Sequence, residues 1–216
     1  MRLLAVAVSA VVAMGSWPVQ AAKPVAPEPS VENVYWLVDC LFERRDRNVE
    51  RVLSTVPGDP GSTLSWARAV IGPCLIAERP LSGPDLFGRG AVAEHLLYRD
   101  FAAIGAPPRR RTVPLFAPVS QDYLGRADEN SRRFLAILDM GSCVAQREPA
   151  KVYAFFRSER GSAAERAAMT ELTPAISACL FEGQTFDMPP PLFRALLAEA
   201  AYRVAAGQLN VYEVQQ

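Results

Sequence analysis

The stretch VYWLVDCLFERRDRNVERVL at residues 34–53 recurs without a gap as the related stretch ILDMGSCVAQREPAKVYAFF at residues 137–156. Both copies space their apolar residues three and four positions apart, as amphipathic helices do. Both also carry a cysteine, Cys40 or Cys143, with an arginine, Arg44 or Arg147, four residues later. Because a fixed internal repeat indicates a repeated structural unit, the chain is predicted to be all-α and built from a duplicated helical unit.

The correspondence between the halves continues beyond these stretches. Further matches are Cys74-Leu75 with Cys179-Leu180, and Tyr98-Arg99 with Tyr202-Arg203. We therefore predict two pseudo-symmetric four-helix repeats, at residues 31–105 and 128–207. A proline-rich linker at residues 106–127 joins them, and residues 208–216 form a C-terminal tail.

The four cysteines are predicted to form one disulfide within each repeat. Four cysteines allow three pairings. The separations within the two repeats, 34 and 36 residues, are nearly equal. Since equivalent cysteines should form equivalent bonds, we predict Cys40–Cys74 and Cys143–Cys179. A zinc site would need closely spaced pairs, and thiol redox catalysis would need a C-x-x-C motif; the sequence has neither.

The N-terminus has the features of a secretory signal peptide. Arg2 precedes a twelve-residue apolar stretch, Leu3–Met14. This stretch is too short to span a bilayer, which takes about 20 apolar residues. Cleavage is predicted after Ala21, followed by a proline-rich spacer at residues 22–30. No later segment is long and apolar enough to cross a membrane. We expect a periplasmic or secreted protein without a membrane span in the mature chain.

Periodicity and turn residues predict the helix boundaries. In the first repeat, helices are expected from Val31 to Arg45, around Val49–Val56, from Ser62 to Ala77 and, after a loop over Pro80–Gly90, from Ala91 to Ala103. In the second repeat they are expected from Glu129 to Gln146, from Pro149 onward, from Ser162 to Leu180 and from Pro190 to Ala206. Ser162 and Glu165 have the spacing of a capping box.

Charge and motifs exclude several function classes. The 23 basic and 23 acidic residues balance, so the chain has no general attraction for nucleic acid, and none is predicted as a partner. Nucleotide, dinucleotide and serine-hydrolase motifs are absent from the sequence. The single histidine, His95, cannot form a multi-histidine metal site. We predict neither a metal site nor a cofactor.

Two sets of repeated residues are candidates for ligand binding. Arg44 and Arg147 could face a shared anionic ligand, or their stems could cover the disulfides while their heads reach water. Tyr98, Arg99, Tyr202 and Arg203 occupy equivalent places in the last helix of each repeat; packing and ion pairing would account for them as well as binding would.

Other polar features have simpler explanations. Glu94 is adjacent to His95, but neighbouring helical residues point in different directions. The run Arg109-Arg110-Arg111 in the linker could attract phosphate, but a short charged run is usually a solvated loop.

The repeated C-x₃-R pattern, the turn, the second Cys-Leu and the helix ending in Tyr-Arg resemble exported proteins of Gram-negative bacteria with a duplicated, cysteine-containing helical repeat. The resemblance covers residues 31–206 and implies an extracytoplasmic location. It implies no activity and no site residues.

The sequence favours a non-catalytic periplasmic or secreted helical binding or interaction protein, with the surface between the halves as its binding region. The partner would be an envelope protein or an anionic small ligand. The alternatives are an enzyme acting on the cell envelope through a carboxylate such as Glu94, and a structural or stress-protective envelope protein.

Overall fold

The structure is a computed structural model that describes residues 30–44, 47–70, 74, 85–180 and 188–213. The predicted signal peptide, nearly all of the spacer and the end of the C-terminal tail lie outside these residues. So does the predicted end of the third helix, around Ala77.

Helices dominate the described residues, and no β-strand occurs in them. They are α1 (Ser30–Glu43), α2 (Arg47–Arg51), a 3-10 turn (Val52–Ser54), α3 (Pro60–Val70), α4 (Asp85–Asp100), α5 (Gln121–Arg126), α6 (Glu129–Arg147), α7 (Pro149–Arg157), α8 (Ala163–Cys179) and α9 (Pro190–Ala205). One isolated bridge joins Val119 to Tyr212. The predicted all-α class is confirmed, whereas the pseudo-symmetry of the repeats stays a prediction.

Both predicted disulfides are present. Cys40 bonds to Cys74, and Cys143 bonds to Cys179, with Cα–Cα distances of 5.9 and 5.8 Å. The first bond joins α1 to Cys74, four residues after the end of α3, and the second joins α6 to the last residue of α8. Each bond therefore closes a loop within one half of the chain.

Helix α4 begins six residues earlier than the predicted start at Ala91, because two glycines in it are sites of close packing and not parts of a loop. A Cβ at Gly88 would meet the Trp66 ring at 2.4 Å. A Cβ at Gly90 would meet the Cα of Ala195 at 2.4 Å. The missing side chains let α4 approach α3 and α9 closely.

The segment predicted as a linker contributes to the core. Val113, Phe116 and Val119 are buried, and the backbone N–H of Phe116 donates to the carbonyl of Leu53. Within this segment α5 begins after Ser120, whose side chain accepts a hydrogen bond from the backbone N–H of Tyr123. The segment therefore holds the two halves together as well as connecting them.

The larger hydrophobic core runs through both halves, while Phe116 and Val119 belong to a second buried cluster. The buried residues of the larger core include Leu37 and Val38 of α1, Leu96 of α4, Val144 of α6 and Phe155 of α7. Helices α4 and α9 make the most extensive contact between the halves. None of the helices in the described ranges combines the length and apolar character needed to span a membrane.

Two buried ion pairs cross the α4–α9 contact. Arg89 of α4 pairs with Glu199 of α9, while Arg194 of α9 pairs with Glu94 of α4. In each helix the glutamate follows the arginine by five residues, so each helix supplies one cation and one anion.

Candidate ligand-binding cleft

A cleft of about 660 Å³ lies between the two halves. Helix α1 forms one wall, α4 and α9 contribute to its floor, and the end of α7 with the turn that follows forms the opposite wall. Its lining residues are Glu32, Trp36, Asp39, Glu94, Tyr98, Phe156, Arg157, Ser158, Glu159, Arg160 and Arg194. The cleft combines charged groups of both signs with three aromatic rings.

The floor of the cleft is an ion pair between Glu94 and Arg194, both almost completely buried. Arg194 Nε donates to Glu94 Oε2 at 3.0 Å, and Nη2 donates to Oε1 at 2.6 Å. The Tyr35 hydroxyl donates to Glu94 Oε2 at 2.9 Å. Paired charges with complete hydrogen bonding are the form in which buried ionised groups are tolerated.

Arg194 also fixes the wall formed by the end of α7. Its Nη2 donates to the Phe156 carbonyl at 2.8 Å, and its Nη1 donates to Glu165 Oε1 at 2.6 Å. Burial alone would lower the pKa of Arg194, but hydrogen bonds to Glu94 and Glu165 and the negative charge of Glu94 outweigh it and leave the pKa above its ordinary value. The guanidinium group is therefore a charged anchor that joins α4, α7, α8 and α9.

The turn between α7 and α8 is held by the predicted capping box. The backbone N–H of Glu165 donates to Ser162 Oγ at 3.1 Å. Glu165 Oε2 reaches back and accepts from the backbone N–H of Gly161 at 2.6 Å. Since Glu165 binds Arg194 through its other oxygen, the helix cap is tied directly to the floor of the cleft.

Tyr35 and Arg160 close one side of the floor. The Arg160 guanidinium carbon lies 3.8 Å from the centre of the Tyr35 ring, a cation–π contact. Arg160 Nη1 also lies 3.8 Å from Glu94 Oε1. Burial raises the pKa of Tyr35, and the negative charge of Glu94 adds to the rise, so Tyr35 stays a hydrogen-bond donor at neutral pH.

Helix α1 presents two carboxylates and an indole to the cleft. Glu32, Trp36 and Asp39 are four and three residues apart, the spacing that places side chains on one helix face. Asp39 Oδ1 lies 3.2 Å from His95 Nδ1, and the His95 ring stacks on Phe42 with a centroid distance of 3.9 Å. His95 therefore supports this wall from α4 and does not line the cleft.

Of the residues predicted from sequence to bind a ligand, only Tyr98 lines the cleft. Its hydroxyl oxygen is buried and hydrogen-bonds to no residue in the described parts of the chain. Burial raises the pKa of Tyr98, and the charge of Glu94 contributes to that rise. Arg44 and Arg147 are exposed and do not line the cleft.

Two of the remaining candidates, Arg99 and Tyr202, form a separate cluster around Asp100, which is fully buried. Arg99 binds Asp100 Oδ1 at 2.6 Å and Glu50 Oε1 at 2.5 Å. Tyr202 donates to Asp100 Oδ2 at 3.0 Å and accepts from the backbone N–H of Val113 at 3.2 Å. These contacts link α4, α9 and the linker, so in this structure Arg99 and Tyr202 connect helices.

Arg203 is fully buried on the other side of α9. Its Nη2 donates to the Phe116 carbonyl at 3.1 Å, and its guanidinium carbon lies 3.6 Å from the centre of the Phe116 ring. Its Nε and Nη1 have no hydrogen-bond partner among the described residues. Burial lowers the pKa of Arg203 to about 10, although the charge of Glu199 opposes that shift.

The predicted loop arginines, Arg109, Arg110 and Arg111, are exposed.

The second α4–α9 ion pair lies apart from the cleft. Arg89 donates to both carboxylate oxygens of Glu199, through Nε at 2.9 Å and Nη2 at 2.5 Å. Its Nη1 donates to the Val52 carbonyl and to the hydroxyls of Thr55 and Ser62. None of these residues lines the cleft, so this pair serves to bind α4 and α9 to the first half.

Across residues 30–213, within the described ranges, no three His, Cys, Asp or Glu side chains come together in a way that could hold a metal ion. No family model, curated protein or solved structure matches the chain. The cleft must therefore be interpreted from its own chemistry.

Proposed function

We propose that this chain is an exported, non-catalytic binding protein whose ligand occupies the cleft between α1 and the α7–α8 turn. The observation that carries the proposal is the cleft itself, with walls from both halves and a floor of fully paired charges. A concave site with aromatic surface and a few fixed polar groups is typical of small-ligand binding.

The floor supports this proposal because it is fixed before any ligand arrives. Arg194 reaches Glu94, Glu165 and two backbone carbonyls, those of Phe156 and Ser158. The wall at the end of α7 is thus attached directly to Arg194, and Tyr35 of the α1 wall is joined to the same floor through its hydrogen bond to Glu94. A site that needs little ordering on binding loses less conformational entropy and binds more tightly.

The enzyme hypothesis draws support from the position of Glu94 in the cleft. Acid–base catalysis, however, needs a carboxyl oxygen within hydrogen-bond reach of the substrate. Both oxygens of Glu94 already accept hydrogen bonds from Arg194, and Oε2 also accepts one from Tyr35. Because the carboxylate is committed to holding the fold, the arrangement favours binding over catalysis.

An extracytoplasmic location fits the two disulfides, since such bonds persist in oxidising compartments. The signal-peptide features at residues 1–21 extend this to a proposed periplasmic or secreted location. A purely structural or stress-protective role would need no concave charged site, so the cleft counts against that alternative.

Trp36 provides a direct test because it lines the cleft. Because cleavage after Ala21 removes Trp17, the substitution W66F leaves Trp36 as the sole tryptophan of the mature protein. Titration with amino acids, short peptides, amino sugars and polyamines should identify at least one compound that changes Trp36 emission saturably. The same compound should raise the Tm, because a ligand that binds only the native state stabilises it.

A parallel titration of W36F, whose mature chain keeps only Trp66, is the matched control and should show no change in emission for the same compound. The proposal fails if compounds that raise the Tm leave Trp36 emission unchanged, because the ligand would then bind elsewhere. It fails equally if no compound in these classes has either effect at millimolar concentration.

A further inference from the structure

We propose that the cleft binds an organic cation, a ligand with an ammonium or guanidinium group on an apolar body. This inference rests on the proposed binding function and specifies the chemistry of that site. It follows from the distribution of charge in the cleft and from the aromatic surface beside the excess carboxylates.

The charges in and directly beneath the cleft do not balance. Three guanidinium groups are present, those of Arg157, Arg160 and Arg194. Five carboxylates accompany them, those of Glu32, Asp39, Glu94, Glu159 and Glu165. Two negative charges are in excess. A cleft that carries charge of one sign raises the local concentration of ligands of the opposite sign.

The charges of the floor are paired with one another, so the excess negative charge lies on the walls of the cleft. Glu94 and Glu165 are both bound by Arg194, and Arg160 lies beside Glu94. Glu32 forms no ion pair with any residue in the described part of the chain. Among the charged and titratable groups in the described part of the chain, Asp39 contacts one, the partly exposed ring of His95. Glu32 and Asp39 of α1 are therefore available to a ligand, as is Glu159 on the opposite wall, which forms no ion pair within the described residues.

Trp36 lies between Glu32 and Asp39 on the same face of α1. An indole is the best aromatic partner for a cation, and the contribution of such a contact grows as the site is desolvated. A ligand with a cationic end could thus place its charge between the two carboxylates and its apolar body against Trp36, with the Phe156 ring also lining the cleft.

The cleft does not offer the ligands that a divalent metal ion needs. Metal ions need several ligands at about 2.0–2.6 Å converging on one point. In the residues that the structure describes, the carboxylates do not form such a group. An organic cation can instead contact separated carboxylates along its length. The anionic ligand expected from Arg44 and Arg147 gains no support from the cleft, because neither residue lines it.

The test compares three five-carbon probes by isothermal titration calorimetry at low salt: cadaverine, which is a diamine, glutarate, which is a dicarboxylate, and neutral pentanediol. We expect cadaverine to bind at least about ten-fold more tightly than either of the others, and to lose affinity as salt is added. The variants E32Q and D39N should each weaken cadaverine binding by about five-fold, the loss of one exposed ion pair.

The matched control is E43Q, which neutralises an exposed carboxylate of the same helix outside the cleft, and it should leave cadaverine binding unchanged.

Trilysine distinguishes the source of the cation. Tighter binding of trilysine than of cadaverine would indicate a basic segment of a protein, and tighter binding of cadaverine would indicate a free amine. Either result supports the shared chemistry.

Three outcomes would overturn the inference. If glutarate binds as tightly as cadaverine and changes Trp36 emission, the cleft binds ligands but not cations, and the proposed binding function survives. If E43Q weakens cadaverine binding as much as E32Q does, the attraction is general and does not reside in the cleft. Failure of every probe in both calorimetry and Trp36 fluorescence would count against the binding function as well.

Discussion

Arg194 and Arg203 lie in the same helix and are both buried, yet their guanidinium groups are satisfied to opposite extents. Every nitrogen of the Arg194 guanidinium donates a hydrogen bond to Glu94, Glu165 or a carbonyl at the end of α7. Arg203 donates one, to the Phe116 carbonyl. Removing the charge should therefore have very different consequences at the two positions.

The substitution R194M should destabilise the protein by about 3–5 kcal/mol, because it leaves the buried carboxylates of Glu94 and Glu165 without their cation. The substitution R203M should change the free energy of unfolding by less than about 1 kcal/mol or increase it, since it removes unsatisfied donors from the interior. The Phe116 carbonyl keeps a donor in Gln208 Nε2 at 2.7 Å. Denaturant unfolding of both variants measures the difference.

Methionine matches the arginine stem in both cases, so loss of packing is similar and each variant controls for the other. Equal destabilisation by R194M and R203M would mean that loss of buried volume, and not the pairing of charges, sets the stability of α9.

Tyr98 and Tyr202 offer a second matched comparison. The buried Tyr98 hydroxyl has no hydrogen-bond partner in the described ranges, whereas the Tyr202 hydroxyl binds both Asp100 and the backbone of Val113. We expect Y98F to leave the free energy of unfolding unchanged or slightly raised. We expect Y202F to lower it by about 1–3 kcal/mol, because Asp100 would lose a buried donor.

Thermal or urea unfolding of the two variants gives the comparison directly. A clear loss of stability in Y98F would indicate that its hydroxyl has a partner in solution, such as a bound water molecule. A neutral Y202F would show that Arg99 alone is sufficient to satisfy Asp100.

Sequence signals predict several of the helices and both disulfides, but not α5, which lies within the predicted linker. Apolar periodicity located α1, α6 and α9, and the matched spacing of the cysteines selected one pairing from three. The early start of α4 could not be predicted in this way. Gly88 and Gly90 are typical of loops, and only contact with Trp66 and Ala195, both distant in sequence, shows why glycine is needed inside a helix.

The candidate site was harder to predict because its residues come from both halves. The sequence suggests Glu94 only as a catalytic carboxylate, because its partner Arg194 is 100 residues away. A signal for the pair was present, since α4 and α9 each contain an arginine followed by a glutamate five residues later. That spacing does not reveal that each arginine would bind the glutamate of the other helix, because the pairing depends on how the helices cross.

Among the helical glycines, Gly90 should tolerate substitution least, because it lies where α4 crosses α9 most closely. In G90A the new methyl group would overlap the backbone of Ala195, where α4 and α9 meet, so we expect a loss of about 1–3 kcal/mol or more. Gly125, in α5, has no atom within 4 Å of an added Cβ. G125A should therefore stabilise the protein by about 0.5–1 kcal/mol through its helix propensity.

Urea unfolding of the two glycine variants gives the measurement, and the effects should have opposite signs. If G90A were as stable as the parent, α4 and α9 would have to separate at little cost, and the close approach at Ala195 would not be a determinant of the fold.

Asp139 in α6 should make stability depend on pH in the acid range. Its half-buried carboxyl has a pKa raised by burial, whereas the unfolded chain ionises near the ordinary value of about 3.9. As the pH rises from about 3.9 towards the raised pKa of the folded protein, the unfolded chain loses the Asp139 proton before the folded chain does. The free energy of unfolding therefore falls until the pH passes the folded pKa.

The variant D139N cannot ionise and should lack this loss. It should be more stable than the parent at about pH 7 and equal to it at about pH 3, where the carboxyl is protonated in both states. Denaturant unfolding at the two pH values measures the difference. E171Q removes an exposed carboxylate from α8 and serves as the control, with no such pH-dependent gain. A D139N variant that is less stable than the parent at neutral pH would show that the Asp139 carboxylate has a favourable partner, and that burial does not govern its ionisation.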